Sequence, residues 1–204
     1  NIPFLLFIAT ADVGKNGYMN WEQIKEIKNS SLGIIGNHSH THGYLVDEDD
    51  SAIIDDLKKS NQWFNNYLGH IPKYFSYPFG EYSNNFKNIV QDFNFNVAFG
   101  QHSGAIDSTK DLLELPRFPI NEKYGNLERF KFILNILPFP YKKIYPENRY
   151  IKEIENPPKL KIEFFKDQKN LKNINCFSNE GNIWKKTKIH FEEKNILNIN
   201  FEEK

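Results

Sequence analysis

Over the first 137 residues, short apolar runs alternate with stretches of helical period, and beyond that point the alternation stops. FLLFIAT (4–10), LGIIG (32–36), KYFSYP (73–78), FNVAFG (95–100) and LLELPRFPI (112–120) have the length and apolar content of buried strands. Between them lie helical patterns. MNWEQIKEIKNS carries Trp21, Ile24 and Ile27 on one face, with Asn20 as N-cap and Gln23 three residues on. DDSAIIDDLKKSNQWFNNYLG (49–69) spaces Ile53, Ile54, Leu57, Phe64 and Leu68 near helical period, with Gly69 as its stop and Trp63–Phe64 as core. NNFKNIVQDFN and NLERFKFILNIL complete the set. Strand and helix in alternation specify an α/β chain whose sheet is mostly parallel. A closed eight-stranded barrel takes about 250 residues, so the sheet is either open or part of a barrel.

From LPFPYKKIYPENRYIKEIENPP onward the texture changes. Five prolines among many charges mark residues 138–158 as a linker. KLKIEFF, NINCFS, WKKTKIHFEE and ILNINFEE then alternate apolar and polar residues, as antiparallel strands with one wet face do. The expected division is therefore an α/β domain over 1–137 and a small β-rich, sandwich-like module over 159–204. Four strands in so short a span make a marginal domain, and the module reads as incomplete.

Composition removes several classes of function. A net charge of zero gives no electrostatic case for nucleic acid or a membrane surface. Cys176 is the only cysteine, which rules out an internal disulfide and a cysteine-based zinc site. No apolar run approaches the roughly 18 residues of a membrane span. NIPFLLFIAT lacks a methionine and a basic start and runs into Asp12, so it reads as a buried strand and the chain as a piece cut from a longer one.

GIIGNHSHTHGYL places histidines at alternate positions 38, 40 and 42. Zinc–nitrogen bonds are about 2.0–2.1 Å, so geometry decides which of them can share an ion. On an extended strand His38 and His42 lie about 13 Å apart, whereas neighbours two apart lie about 6.6 Å apart. On a helical turn, residues four apart come within about 5–6 Å at Cβ and the middle one points away. If the strand turns helical after Gly36, the ligands are His38 and His42; if it continues, His40 is one of them. Asn37, Ser39 and Thr41 interleave the histidines with short hydrogen-bonding side chains of the kind that fix imidazole tautomers.

GNHSHTHGYL resembles the metal-binding motif of the polysaccharide deacetylases, the NodB-homology or family-four carbohydrate esterases. The sequences FSYPFGEYS, AFGQHSGAI and LPRFPINEKYG resemble that family's branch acting on poly-N-acetylglucosamine, in the right order. The resemblance spans residues 1–137. It implies a partial, distorted (β/α) barrel and metal-dependent removal of N-acetyl groups from a polysaccharide, with zinc or another divalent metal as cofactor. It also implies His38 and His42 as ligands and the Phe79 backbone N–H as oxyanion donor. Tyr77 and Pro78 would line the sugar groove and Arg117 would orient the catalytic base; His102, at a strand's C-terminal end where sites gather in parallel folds, is a candidate substrate contact on position alone. A cell-envelope or extracellular setting follows from the family alone.

The chain departs from that family in two places. The first-strand Asp-Asp motif, which supplies the third ligand and the base, has no counterpart, and Asp12 reads as a turn residue. The late Leu-any-His motif is also missing; His190 lies in the β-rich stretch and reads as a strand residue. One truncation accounts for both gaps, so this chain alone is expected to turn over little. The rival reading is a degenerate relative that binds carbohydrate without catalysis; a weaker third is a metal-dependent hydrolase of another small amide.

Overall fold

The computed structural model describes residues 3–202 other than Gly181. The chain divides into two compact units, Asn1–Pro138 and Phe139–Lys204.

The first unit is built on a parallel sheet in the order β1 (Phe4–Ile8), β2 (Gly33–Asn37), β3 (Tyr74–Ser76), β4 (Val97–Phe99). Four parallel strands in sequence order, joined by helices, are the open or partial-barrel arrangement that the alternation predicts. The fifth apolar stretch forms an isolated bridge, Phe99 to Leu115, flanked by backbone bonds from Leu115 N–H to Ala98 O at 2.9 Å and from Gly100 N–H to Leu115 O at 3.0 Å.

Helix α1 (Trp21–Asn29) starts at the expected capping box: the Asn20 side chain accepts from the Gln23 N–H at 3.0 Å, and the Gln23 side chain accepts from the Asn20 N–H at 2.9 Å. Helix α2 (Asp50–Leu68) is capped by the Asp49 carboxylate and ends on Gly69 at φ 73°, where a Cβ would be strained. Helix α3 is Asn84–Asp92 and α4 is Leu127–Ile133, shorter than its apolar pattern.

Ile8, Trp21, Ile24, Ile35, Phe64 and Leu68 pack β1 and β2 against α1 and α2. Each fully buried side chain of this kind contributes about 1.5–3 kcal/mol. Phe64 is core as expected, but its neighbour Trp63 is 36% exposed, since consecutive helical positions diverge by about 100°. All the candidate site residues of this unit follow the C-terminal ends of its strands, where sites gather in parallel folds.

The second unit is an antiparallel sheet, β5 (Tyr141–Tyr145), β6 (Leu160–Phe164), β10 (Ile196–Asn200) and β9 (Lys188–Glu193), beside a hairpin of β7 (Phe177–Glu180) and β8 (Ile183–Lys186). The stretch 138–158 is thus not a simple linker: Tyr141–Tyr145 pairs with β6 and belongs to the sheet. The expected WKKTKIHFEE strand is likewise broken at Thr187, which is buried and ties back to Cys176 O. Ile162, Phe164, Leu171, Leu197 and Ile199 form the core.

Candidate metal centre

Strand β2 ends at Asn37 and the chain bends sharply, with Ser39 at φ 68° and His42 at φ 54°. This is neither the continued strand nor the helical turn that the spacing offered. Two left-handed residues fold the loop back, and they bring the Nε2 atoms of His38 and His42 to 3.1 Å, with the rings at 75°.

His38 Nδ1 lies 2.6 Å from the Ser76 carbonyl, which only accepts, so Nδ1 carries the proton and Nε2 presents a lone pair. The His42 Nε2 atom faces that lone pair. Burial holds His38 down to about 4, against the opposing Ser76 hydrogen bond; His42 and Arg117 lower it further. The imidazole is therefore neutral at physiological pH.

His40 points elsewhere. Its Nδ1 meets the buried Thr10 hydroxyl at 2.8 Å and its ring leans on Trp63. It serves the loop and not the histidine pair.

The loop is held by Asp56 and Ser60, which the sequence reading did not single out, together with Asn37, Ser39 and Thr41, whose side chains bond to backbone and to α2 and not to an imidazole ring. The buried Asp56 carboxylate on α2 accepts from His40 N–H at 2.6 Å, Thr41 N–H at 3.0 Å and the Thr41 hydroxyl at 2.6 Å. Asn37 Oδ1 accepts from Ser39 N–H at 2.8 Å and from the Ser60 hydroxyl at 2.9 Å. A signal was present: Asp56 and Ser60 are polar residues four apart on the inward face that Ile53, Leu57 and Phe64 otherwise line.

The remaining candidates separate. After β3, Phe79 adopts φ 55° and Gly80 φ 77°. Phe79 is 48% exposed and its ring stands 4.9 Å from His42. Gly80 is required here, because a Cβ would lie 2.4 Å from the Gln101 N, besides the positive φ. Tyr77 and Pro78 do not line a groove. Both side chains are buried, and the Tyr77 hydroxyl donates to the Leu113 carbonyl at 2.9 Å among Phe75, Tyr82 and Phe86. The left-handed backbone at Phe79 and Gly80 breaks the strand's alternation, which leaves Tyr77 and Pro78 inward and Phe79 outward. His102 is exposed beyond β4, 6.4 Å from the Tyr82 ring, and its carbonyl accepts from the Arg117 N–H at 3.0 Å. Arg117 lies close enough for its charge to depress His38, and burial alone shifts its own ionisation downward.

A cavity of about 280 Å3 opens onto the pair, lined by Leu6, Ile8, Asp12, Met19, His38 and His42 among others. Consecutive β1 residues line it, so it runs along the strand's edge and not over one face. Asp12 shares this cavity but is ion-paired with Lys15 at 2.8 Å, and its backbone forms the expected turn. Two imidazole nitrogens 3.1 Å apart, each about 2.0–2.1 Å from a common ion, subtend about 100°, which suits a tetrahedral or octahedral site. The pair therefore fits a divalent metal as two of its ligands. No group of three ligands assembles among the described residues.

A family-level sequence model described as polysaccharide deacetylase matches residues 1–98, which hold β1 to β4 and the histidine loop. The first unit thus resembles the polysaccharide deacetylases. Solved structures agree on the fold. The deacetylase PplD from Streptococcus pyogenes, solved in complex with acetate, is 19% identical with a TM-score of 0.58, over 67% of this chain and 59% of that one. IcaB from Ammonifex degensii is 21% identical with a TM-score of 0.57, over 65% and 61%. A polysaccharide deacetylase from Bacillus cereus is 19% identical with a TM-score of 0.58, over 66% and 42%. The chain thus spans about six-tenths or less of the length of these neighbours. A search of curated proteins gives no match. No helix among the described residues is long and apolar enough to cross a membrane.

Proposed function

We propose that the histidine loop is the metal-binding part of a site that hydrolyses N-acetyl groups on a polysaccharide. The observation that carries this reading is the convergence of the His38 and His42 Nε2 atoms at 3.1 Å, with the His38 tautomer set by the Ser76 carbonyl. A bound divalent ion such as zinc polarises a carbonyl oxygen and acidifies a water. His38 and His42 would hold it, and His38 does so without first shedding a proton, since its pKa is about 4. The Phe79 N–H, in the left-handed turn beside His42, would donate to the acetamide oxygen as negative charge develops there. The Phe79 ring, exposed on the same side, would pack against the sugar. Arg117 would grip the carboxylate that acts as base, for which a planar guanidinium suits a bidentate hold. A cell-envelope or exported glycan is the substrate class.

The test is acetate release from β-linked N-acetylglucosamine oligomers with zinc present, using the protein at its full natural length. His38→Ala should abolish release with the fold intact by circular dichroism. Equal release by the variant rejects the reading, and glycan binding without release in either form supports the non-catalytic relative instead.

A further inference from the structure

The β7–β8 hairpin is inside out. Its register pairs Phe177 with Lys186 and Asn179 with Trp184, which sets these four side chains on one face; Ser178, Glu180, Ile183 and Lys185 take the other. The second face is the one turned inward. Ser178, Glu180 and the adjoining Thr187 are buried and hydrogen-bonded together. Glu180 also accepts from the Glu202 N–H at 2.8 Å and pairs with Lys185 at 3.2 Å. Only Ile183, at the hairpin's end, is exposed on that side. The outward face exposes 72% of Trp184 and 61% of Phe177.

A one-residue slip would bury the aromatics and free the carboxylate, yet the buried polar cluster locks the opposite choice. An exposed Trp and Phe beside an amide and an ammonium offer a flat apolar surface with polar handles, which suits stacking by an amphipathic ring. Two strands of four residues offer about 13 by 10 Å, on the order of 130 Å2, whereas a stable protein interface buries about 800 Å2 on each partner. The face is thus too small for a second copy of the chain or a protein partner. It matches one or two rings of a flat, amphipathic ligand.

We propose that this face binds the polysaccharide, taking the ligand class from the deacetylase reading. The C–H face of a pyranose ring stacks on Trp184, with Phe177 its diagonal neighbour. The Asn179 amide and the Lys186 ammonium hydrogen-bond to hydroxyl and acetamide oxygens.

The experiment is titration of the chain with a β-1,4-linked N-acetylglucosamine hexamer, followed by calorimetry and tryptophan fluorescence. Trp184→Ala should weaken binding at least about tenfold. Asn179→Ala, which leaves the aromatic face in place, should weaken it severalfold. Wild-type affinity in Trp184→Ala, or no binding by the wild type, overturns the proposal. So does a concentration-dependent dimer that Trp184→Ala dissolves. Acetate release by the natural protein judges the deacetylase reading separately, because Trp184 lies outside that chemistry.

Discussion

Removing the Asp56 carboxylate should loosen the histidine loop more than any other change that spares the histidines. Its three hydrogen bonds run at 2.6, 3.0 and 2.6 Å to His40 N–H, Thr41 N–H and the Thr41 hydroxyl. Hydrogen bonds to charged groups contribute about 1.5–3 kcal/mol each. The His40 bond counts in full; Thr41 is exposed, so water replaces Asp56 there and those two bonds count at about half or less. The total for Asp56→Ala is about 3–4 kcal/mol, and for Asp56→Asn about 2, since the amide turns one donor toward another donor. The loop also stores strain at Ser39 and His42, of order 1–3 kcal/mol each, which persists only while the surroundings over-determine it. Once Asp56 is gone the loop relaxes, and the two Nε2 atoms lose their 3.1 Å approach. Urea unfolding of Asp56→Ala and Asp56→Asn measures the first effect, given an unchanged slope; zinc titration measures the second, expected at about 10–100-fold by analogy with other groups that orient ligands. Asp56→Ala within about 1 kcal/mol of wild type, binding zinc equally well, would refute the account.

Three further outcomes follow. Zinc binding by calorimetry should vanish in His38→Ala and His42→Ala and survive in His40→Ala; loss in His40→Ala alone would make the continued-strand geometry correct. His38 titrates at 6.5 in the unfolded chain and about 4 in the fold, so between those values the unfolded state holds the extra proton. Metal-free stability therefore falls as pH drops from 6.5 to 4, by up to about 3 kcal/mol, and levels off below; His38→Gln, compared by urea midpoints at pH 7 and 4.5, should flatten the slope, and an unchanged slope counts against it. Gly80→Ala meets both a positive φ and the Gln101 backbone, so it should cost more than about 1 kcal/mol in thermal unfolding, and a neutral result would mean that the PFG turn is not rigid.

The alternation of runs and the caps at Asn20 and Gly69 were legible because helix and strand periods are local. The pairing of His38 with His42 was legible only through the family resemblance: spacing offered a strand or a helical turn, and the chain takes a bend that depends on tertiary partners. Asp56 lies 16 residues beyond His40 in sequence, and what recruits it is the packing of α2 on β2, which no local window contains. Tyr77 was misplaced for a related reason. A motif tells which residues gather at a strand end but not which way each side chain leaves it, and the partner of the Tyr77 hydroxyl, Leu113 O, comes from a distant stretch. The 138–158 segment failed differently, because its prolines signal irregular chain while Tyr141–Tyr145 between them still finds an edge to pair with.

The histidine loop is held from two sides. Beyond the last ladder pair of β1 and β2, the backbone pairing continues: His38 N–H donates to Ile8 O at 2.9 Å, Thr10 N–H to Ser39 O at 3.2 Å and Ala11 N–H to His40 O at 2.9 Å. Asp56 and Ser60 grip the other side from α2. His38 and His42 thus ride on the junction of an edge strand and a helix, and whatever orders that junction also orders the pair. Linkage then runs in reverse: an ion that binds only the folded loop adds about 2.7 kcal/mol of stability at a hundred times its Kd, and that stabilisation falls on the β1–β2–α2 junction. For an ion bound there, binding and local order at this corner of the sheet would be one equilibrium.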